Sequence, residues 1–390
     1  MKDLPAFKID RWVGNYKPIC NIMLHGSCAS ELSLNQLKQL SPDPSMDPID
    51  RELPLIYGSV LGSLKLRSRL AELHSTTAIK LTANNVVITP GSIMANYLVL
   101  TTLFSAGDHV ICQFPTYAQL YELPRFMGVE VSLWKGSVDD SWTPSVEELE
   151  NLVQPNTKAI IINNPSNPTG VVLPSRVIDE TIAVAKKYDL TIFSDEVFRP
   201  LFHSQDLPPP PIVSTGFTSC VSTGSISKAH GLPGVRLGWV ISPDIDIIRR
   251  IIIARDYTTI SVSQLDDSVA CFALDPSVLP VLMERNLAKC AASLRMLDDF
   301  VVQNAQRCSW VRPAGAGTAL VKIVEKNGQP VDDAALCAEL AQKYAISLVP
   351  GGHCFNDGEA SELDGYIRIA IGDDDTLRAG LSVLGSYLNS

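Results

Sequence analysis

Residues 225–239 read Ser-Ile-Ser-Lys-Ala-His-Gly-Leu-Pro-Gly-Val-Arg-Leu-Gly-Trp, and this stretch decides how the rest of the chain is read. Lys228 stands among two small hydroxyl residues, Ser225 and Ser227, and an arginine, Arg236, set between glycines. A lysine withdrawn from water loses its proton and attacks carbonyls, which makes it a natural former of Schiff bases. The two hydroxyls and the guanidinium suit a phosphate dianion, which an arginine grips through two parallel hydrogen bonds. The glycines let the backbone come close to a flat ligand. Together these residues describe a socket for an aldehyde that carries a phosphate, and pyridoxal phosphate is such a ligand. Taken by itself, Lys228 reads equally as a solvated surface lysine. The other pieces of the socket, met in order along the chain, argue against that.

Thr89-Pro90-Gly91-Ser92-Ile93 is a strand-to-helix turn with glycine at the helix start. The free N–H groups of a helix start attract an anion, while an ordinary cap, with Ser92 bonding its own helix, is the plainer alternative. Asn163-Asn164-Pro165-Ser166-Asn167-Pro168-Thr169-Gly170 places two Asn-Pro steps in a rigid turn after an apolar run. Asp195 closes another apolar run, where a carboxylate can pair with a protonated ring nitrogen. Tyr117 follows a third, as stacking aromatic or as core. Arg368 sits in the alternating Tyr366-Ile367-Arg368-Ile369-Ala370, suited to a bidentate carboxylate contact or to solvent.

Over roughly residues 50 to 375 these motifs, in this order, resemble the class I/II aminotransferases, the fold type I pyridoxal-phosphate enzymes. The resemblance implies an α/β architecture, with a mostly parallel central sheet in a large domain and a smaller α+β C-terminal domain. It implies pyridoxal 5'-phosphate joined to Lys228, with the phosphate held by Gly91, Ser92, the N–H of Ile93, Ser225, Ser227 and Arg236. It places Tyr117 on the ring, Asp195 at the ring nitrogen, Asn167 at the phenolic oxygen and substrate carboxylate, and Arg368 on that carboxylate. Tyr57, five residues before Gly62, resembles a tyrosine that reaches the phosphate of a neighbouring subunit, which implies a homodimer with shared sites; Thr259 and Ser261 are candidates for the same interface. One departure stands out. Phe198 occupies a position where the family usually has a tyrosine that donates to the phenolic oxygen, and phenylalanine has no donor.

The resemblance implies chemistry on an α-amino acid, by removal of its α-proton, with transamination the commonest outcome. Two segments pull elsewhere. Residues 21–37, which include His25-Gly26-Ser27-Cys28, and residues 117–125 are similar to capreomycidine synthase-like members, which rearrange or cyclise a side chain. Elimination, replacement and cyclisation therefore stay open, and His25, Ser27 and His230 are pocket candidates. A sensor that binds the cofactor without catalysis is a third reading; no helix-turn-helix extension accompanies it.

The pattern beyond these motifs fits. Apolar strands are expected near 86–88, 108–112, 129–134, 159–163, 190–194, 220–222 and 237–241, with helices over 64–74, 93–104, 145–153 and 175–188. Strands alternating with helices point to a parallel α/β sheet. Beyond about 285 the pattern changes to a helix over 286–304, strands near 318–324, 346–349 and 366–371, and a helix over 332–344. The expected organisation is an arm over 1–50, a large cofactor domain over 51–284 and a small domain over 285–390. The proline run Pro208-Pro209-Pro210-Pro211 reads as a surface loop.

Of 390 residues, 46% are apolar and 19% charged, as in a globular protein. A net charge of −10 without a basic cluster argues against nucleic acid or an anionic membrane as partner. Nine scattered cysteines without a C-x-x-C pair suit a reducing compartment, the cytoplasm, and offer no metal site. No leader is read at the N-terminus and no targeting signal over 388–390.

Overall fold

The computed structural model describes residues 4–204, 207–358 and 362–389. Met1 and Ser390, at the ends read for signals, lie outside the described residues. A first short strand, β1 (Ile22–Met23), precedes a seven-stranded sheet. That sheet comprises β2 (Val86–Thr89), β3 (His109–Phe114), β4 (Glu130–Lys135), β5 (Thr157–Asn163), β6 (Thr191–Asp195), β7 (Cys220–Ser225) and β8 (Gly238–Ile241). Their order is β2-β8-β7-β6-β5-β3-β4. Only β8 runs against its neighbours, β2 and β7, so the sheet is mostly parallel as expected.

Alternation along the strands feeds two cores. Val87, Val110, Ala159 and Ile161 face one side, with Leu98 and Val99 of the helix Ser92–Leu103. Ile88, Ile111, Ile160 and Ile162 face the other, with Leu66 and Leu70 of the helix Leu64–Leu73 and Val177 and Ile178 of Ser175–Tyr188. A sheet covered on both faces needs apolar residues at every strand position. Each fully buried Val or Ile here contributes about 1.5–3 kcal/mol relative to exposure. Polar chemistry is thereby pushed to the strand ends.

A second sheet, with order β12-β13-β10-β9, is antiparallel throughout and comprises β9 (Cys308–Trp310), β10 (Thr318–Ile323), β12 (Val349–Pro350) and β13 (Tyr366–Ala370). The expected strand over 346–349 is in fact two. β11 (Ile346–Ser347) pairs in parallel with β1, and the chain changes partner at Leu348 before β12 joins β13. The helix expected from 286 starts seven residues earlier, at Leu279, because Pro280 falls in the first turn, where its missing N–H costs nothing. This helix, Leu279–Gln303, gives Leu282 to the large-sheet core and Leu294, Leu297 and Phe300 to the core of the second sheet. An N-terminal helix, Lys8–Tyr16, joins that second core through Ile9 and Trp12.

Residues 207–211 are irregular and carry Leu207 fully outward, as the proline run requires. Among the described residues, no helix is long and apolar enough to cross a membrane.

Candidate active site

Because β2, β3, β5, β6 and β7 run parallel, their carboxyl ends share one edge of the sheet, the usual place for a ligand in such a fold. The chain leaves these ends into Gly91–Ser92, Tyr117, Asn167, Asp195–Glu196 and Lys228. A cavity of about 320 Å³ opens there, lined by Ser92, Ile93, Tyr117, Asn167, Asp195 and Lys228, with Arg368 arriving from β13. Seven residues singled out in the sequence thus converge, although Lys228 follows a strand of the first sheet and Arg368 lies in the second.

Gly91, Arg236, Ser225 and Ser227 stand beside this cavity rather than in its lining. Gly91 has φ +80, and a Cβ there would lie 2.5 Å from Arg236 Nη2, so the guanidinium rests against the turn. The helix Ser92–Leu103 begins with no side-chain cap. The plainer reading of Ser92 as a cap is therefore not realised, and its first-turn N–H groups point outward without a side-chain acceptor. Gly238 pairs with both Thr89 and Ser225, and a Cβ on it would come within 2.6 Å of Ser92 N. Only glycine brings turn and β7 end this close. Ser225 and Ser227 are buried, with Ser227 N donating to Ser225 Oγ at 3.1 Å.

Asp195 is 3% exposed. Burial raises its pKa; Asn96 Nδ2, donating to Oδ2 at 2.9 Å, the Val197 N–H and the charge of Lys228 act in the opposite direction. Thr223 Oγ1 in turn donates to Asn96 Oδ1 at 2.6 Å. Sequence reading missed Asn96. It lies one helical turn beyond Ser92, and a buried amide in an otherwise apolar helix was the available signal. Asn163, also missed, ties two pieces together: its Nδ2 donates to the Asp195 carbonyl and its Oδ1 accepts from Asn167 N at 2.8 Å.

Lys228 Nζ donates to Ser27 Oγ at 2.7 Å. Arg368 is 3% exposed and donates from Nη1 to Asn167 Oδ1 at 3.0 Å and from Nη2 to the His25 carbonyl at 2.5 Å, while its Nε has no partner. Burial lowers its pKa to about 10, which still leaves it charged at neutral pH. His25 lines the cavity, and burial, with Lys17 and Arg368 adding repulsion, lowers its pKa to about 4. It is neutral at pH 7. Phe198 also lines the cavity. The N-terminal helix was not expected here, yet Ile9, Asp10 and Val13 reach the lining and Phe7 packs on Tyr117 with ring centroids 4.9 Å apart.

Four candidates lie elsewhere. His230 is not in this cavity: the chain turns after Lys228, and the imidazole lines a separate cavity with His74, Glu196 and Arg199. Tyr57 is 83% exposed on a loop and does not line the cavity of its own chain. Thr259 and Ser261 do not line it either; Thr259 Oγ1 accepts from Arg255 Nε at 3.2 Å.

The donor set fits a phosphorylated pyridine aldehyde. An uncapped helix start and a guanidinium suit the phosphate, a buried carboxylate the ring nitrogen, an amine the aldehyde, and an arginine with an unused Nε a carboxylate. Residues 50–384 match the protein family described as aminotransferase class I and II. Capreomycidine synthase of Streptomyces vinaceus is 26% identical over 349 residues, 89% of this chain and 86% of that protein. An aspartate aminotransferase of Thermotoga maritima is 26% identical over 357 residues, 90% and 89% of the two chains. The crystal structure of a PLP-dependent aminotransferase from Streptococcus suis superposes with a TM-score of 0.89 at 32% identity, covering 100% of this chain and 98% of that one.

Proposed function

The chain belongs to the class I and II aminotransferase family, and on that premise we propose that its pocket moves the amine of an α-amino acid by transamination. It is a pyridoxal-phosphate-dependent enzyme of fold type I. The observation that carries the reading is the convergence of Lys228, Asp195 and Arg368 on one cavity from separate elements. When bound, pyridoxal phosphate supplies an aldehyde that captures the amine and a ring that takes up the electron pair left at the α-carbon.

The chain's own residues do the rest. Gly91, Ser92, Ile93, Ser225, Ser227 and Arg236 hold the phosphate, and Tyr117 stacks on the ring. Asp195, kept in place by Asn96, holds a proton at the ring nitrogen. Arg368 and Asn167 orient the substrate carboxylate. Lys228 Nζ would hold the aldehyde at rest, and its free amine would remove the α-proton as general base. Its hydrogen bond to Ser27 Oγ marks a hydroxyl within reach of that amine.

A second outcome, elimination or cyclisation of the side chain, is supported by the segment His25–Cys28, which lines the pocket and touches Lys228, and by the similarity to capreomycidine synthase. Mixing loaded enzyme with single amino acids, without any keto acid, separates the two. Release of one equivalent of keto acid with lasting loss of the visible band supports transamination. Return of the band, with a dehydrated, substituted or cyclised product, supports the alternative and overturns the first reading.

We further propose a homodimer. Leu55, Ile56, Tyr57, Tyr257 and Ile260 are exposed apolar side chains, and the buried Arg255 leaves Nη1 and Nη2 without a partner. A second subunit would cover this surface and bring Tyr57 to the neighbouring phosphate. Nine free cysteines support a reducing compartment, the cytoplasm.

A further inference from the structure

A second cavity, of about 170 Å³, lies beside β7. Its apolar wall is Leu70, Leu73, Leu274, Leu279 and Trp239. Leu70, Leu274 and Trp239 are buried, while Leu73 and Pro200 are exposed and mark the opening. None of the residues assigned above to the homodimer surface lines it, and its buried walls belong to one chain.

Four titratable side chains reach this cavity: His74, Glu196, Arg199 and His230. Two of them cancel. Arg199 Nε lies 3.3 Å from Glu196 Oε2, Glu196 Oε1 accepts from Ile212 N at 2.8 Å, and Arg199 Nη2 donates to the Pro209 carbonyl at 2.8 Å. The other two are neutral at pH 7, since burial lowers each imidazole pKa to about 4. The lining thus carries no net charge, and a charged guest would lose its hydration without gaining a counter-charge.

Two polar edges are left over. The ring of His230, 3% exposed, donates to the Ser225 carbonyl, and its Nδ1 has no partner. In a neutral imidazole that makes Nδ1 an acceptor. Trp239, 6% exposed, lies with its Nε1 edge against Gly224, where a Cβ would come within 2.5 Å of Nε1. Among the described residues no acceptor takes this N–H. A donor and an acceptor beside apolar walls match a hydroxyl on a flat ring. An apolar cavity of about 150 Å³ takes benzene, so the volume here suits one ring with one small substituent.

Three lining residues adjoin the reactive groups. Glu196 follows Asp195, His230 lies just beyond Lys228, and Thr223 Oγ1 donates to the Asn96 amide that holds Asp195. We infer that this cavity is an effector site for a small, uncharged, hydroxylated ring, whose binding is coupled to that of the cofactor. It stands apart from the choice between transamination and cyclisation.

The test uses the full-length protein, with and without pyridoxal phosphate, and phenol as the probe, with toluene and benzoate beside it. Calorimetry should give phenol a dissociation constant on the order of a millimolar, with benzoate at least about tenfold weaker. Coupling between sites is reciprocal. Loading with cofactor should change the phenol affinity by about fivefold, and saturating phenol should change the pyridoxal-phosphate affinity by the same factor. Trp239→Phe should lower the phenol-to-toluene affinity ratio about fivefold, the scale of one hydrogen bond. Leu73→Trp places a ring in the opening and should abolish phenol binding, whereas Leu73→Ala retains it. Because Leu73 is exposed, an unchanged melting temperature separates blockage from misfolding. Leu274→Phe, which fills the cavity from inside, should give the same loss. Absence of phenol binding, benzoate bound as tightly as phenol, binding undiminished in both Leu73→Trp and Leu274→Phe, or a cofactor affinity unmoved by phenol each overturns the inference.

Discussion

Two regions line the pocket, and they are built to different rules. The loops at the carboxyl edge of the large sheet are buried and cross-bonded: Asp195 to Asn96, Asn96 to Thr223, Asn163 to both Asn167 and the Asp195 backbone. The N-terminal segment, from the helix Lys8–Tyr16 to Glu31, is half-exposed and held by fewer ties. Trp12 Nε1 donates to the Leu348 carbonyl at 2.9 Å, Ala29 N to the Lys228 carbonyl at 2.9 Å, and Phe7 leans on Tyr117. A rigid frame suits the groups that must meet reacting atoms within tenths of an ångström. A looser strip suits groups that choose among side chains. The difference teaches where chemistry and choice of substrate are kept apart in one pocket.

The comparison can be broken most severely at the frame. Lys228→Ala should lower the rate of α-proton removal by at least about a thousandfold, the scale of losing a general base, and abolish the protein-bound visible band. A variant that keeps both would remove Lys228 from the mechanism. Next comes Asn96→Leu. It strips a donor from a buried carboxylate, which costs about 1–3 kcal/mol of stability, measurable by denaturant unfolding. Burial already raises the Asp195 pKa and Asn96 opposes that, so without Asn96 the carboxylate is lost at a higher pH and the acid limb of kcat/KM moves upward. An unmoved acid limb would mean that Asn96 serves the fold only.

A subtler effect sharpens the contrast inside the frame. Phe198 lines the pocket and is 2% exposed, but brings no donor toward the phenolic oxygen. The lysine–cofactor link should therefore keep its proton to higher pH than in relatives with tyrosine, and Phe198→Tyr should lower the pH midpoint of the visible band. No shift would show that another donor serves that oxygen. The smallest effect belongs to the strip. Trp12→Phe removes one hydrogen bond, worth about 1 kcal/mol, and should raise KM while leaving kcat near its native value. A fall in kcat instead would join the strip to the frame.

These two regions also differ in how far they can be read from sequence. The frame was legible because each strand-end motif pairs a local backbone demand with a chemical group: glycine before Ser92, Asn-Pro steps around Asn167, Asp195 closing an apolar run. The alternation of strands and helices gave a mostly parallel sheet. Strand direction was not written in a short apolar run, so the reversal of β8 was invisible. Helices Ile245–Asp256 and Gln264–Ala273 went unread although their caps were present, Asp244 accepting from Asp246 N and Ser263 from Asp266 N. The strip escaped for a different reason. Whether Asp10 or His25 faces the pocket depends on how the helix Lys8–Tyr16 docks on the second sheet, through contacts more than 300 residues apart in sequence. His230, adjacent to the lysine motif, illustrates the converse: nearness along the chain suggests the pocket, and the turn after Lys228 takes it to another cavity.

The position of β8 has one further consequence, for how the protein is made. In the sheet β2 touches only β8, so the turn at Gly91 has no neighbouring strand until residues 238–241 have been added and have slotted in backwards between β2 and β7. A nascent chain that has emerged only as far as Lys228 holds the reactive amine but not the cradle for the phosphate. The enzyme's yellow colour should accordingly arrive late, as a report that a sheet closed by a long-range pairing, slow by its topology, is complete.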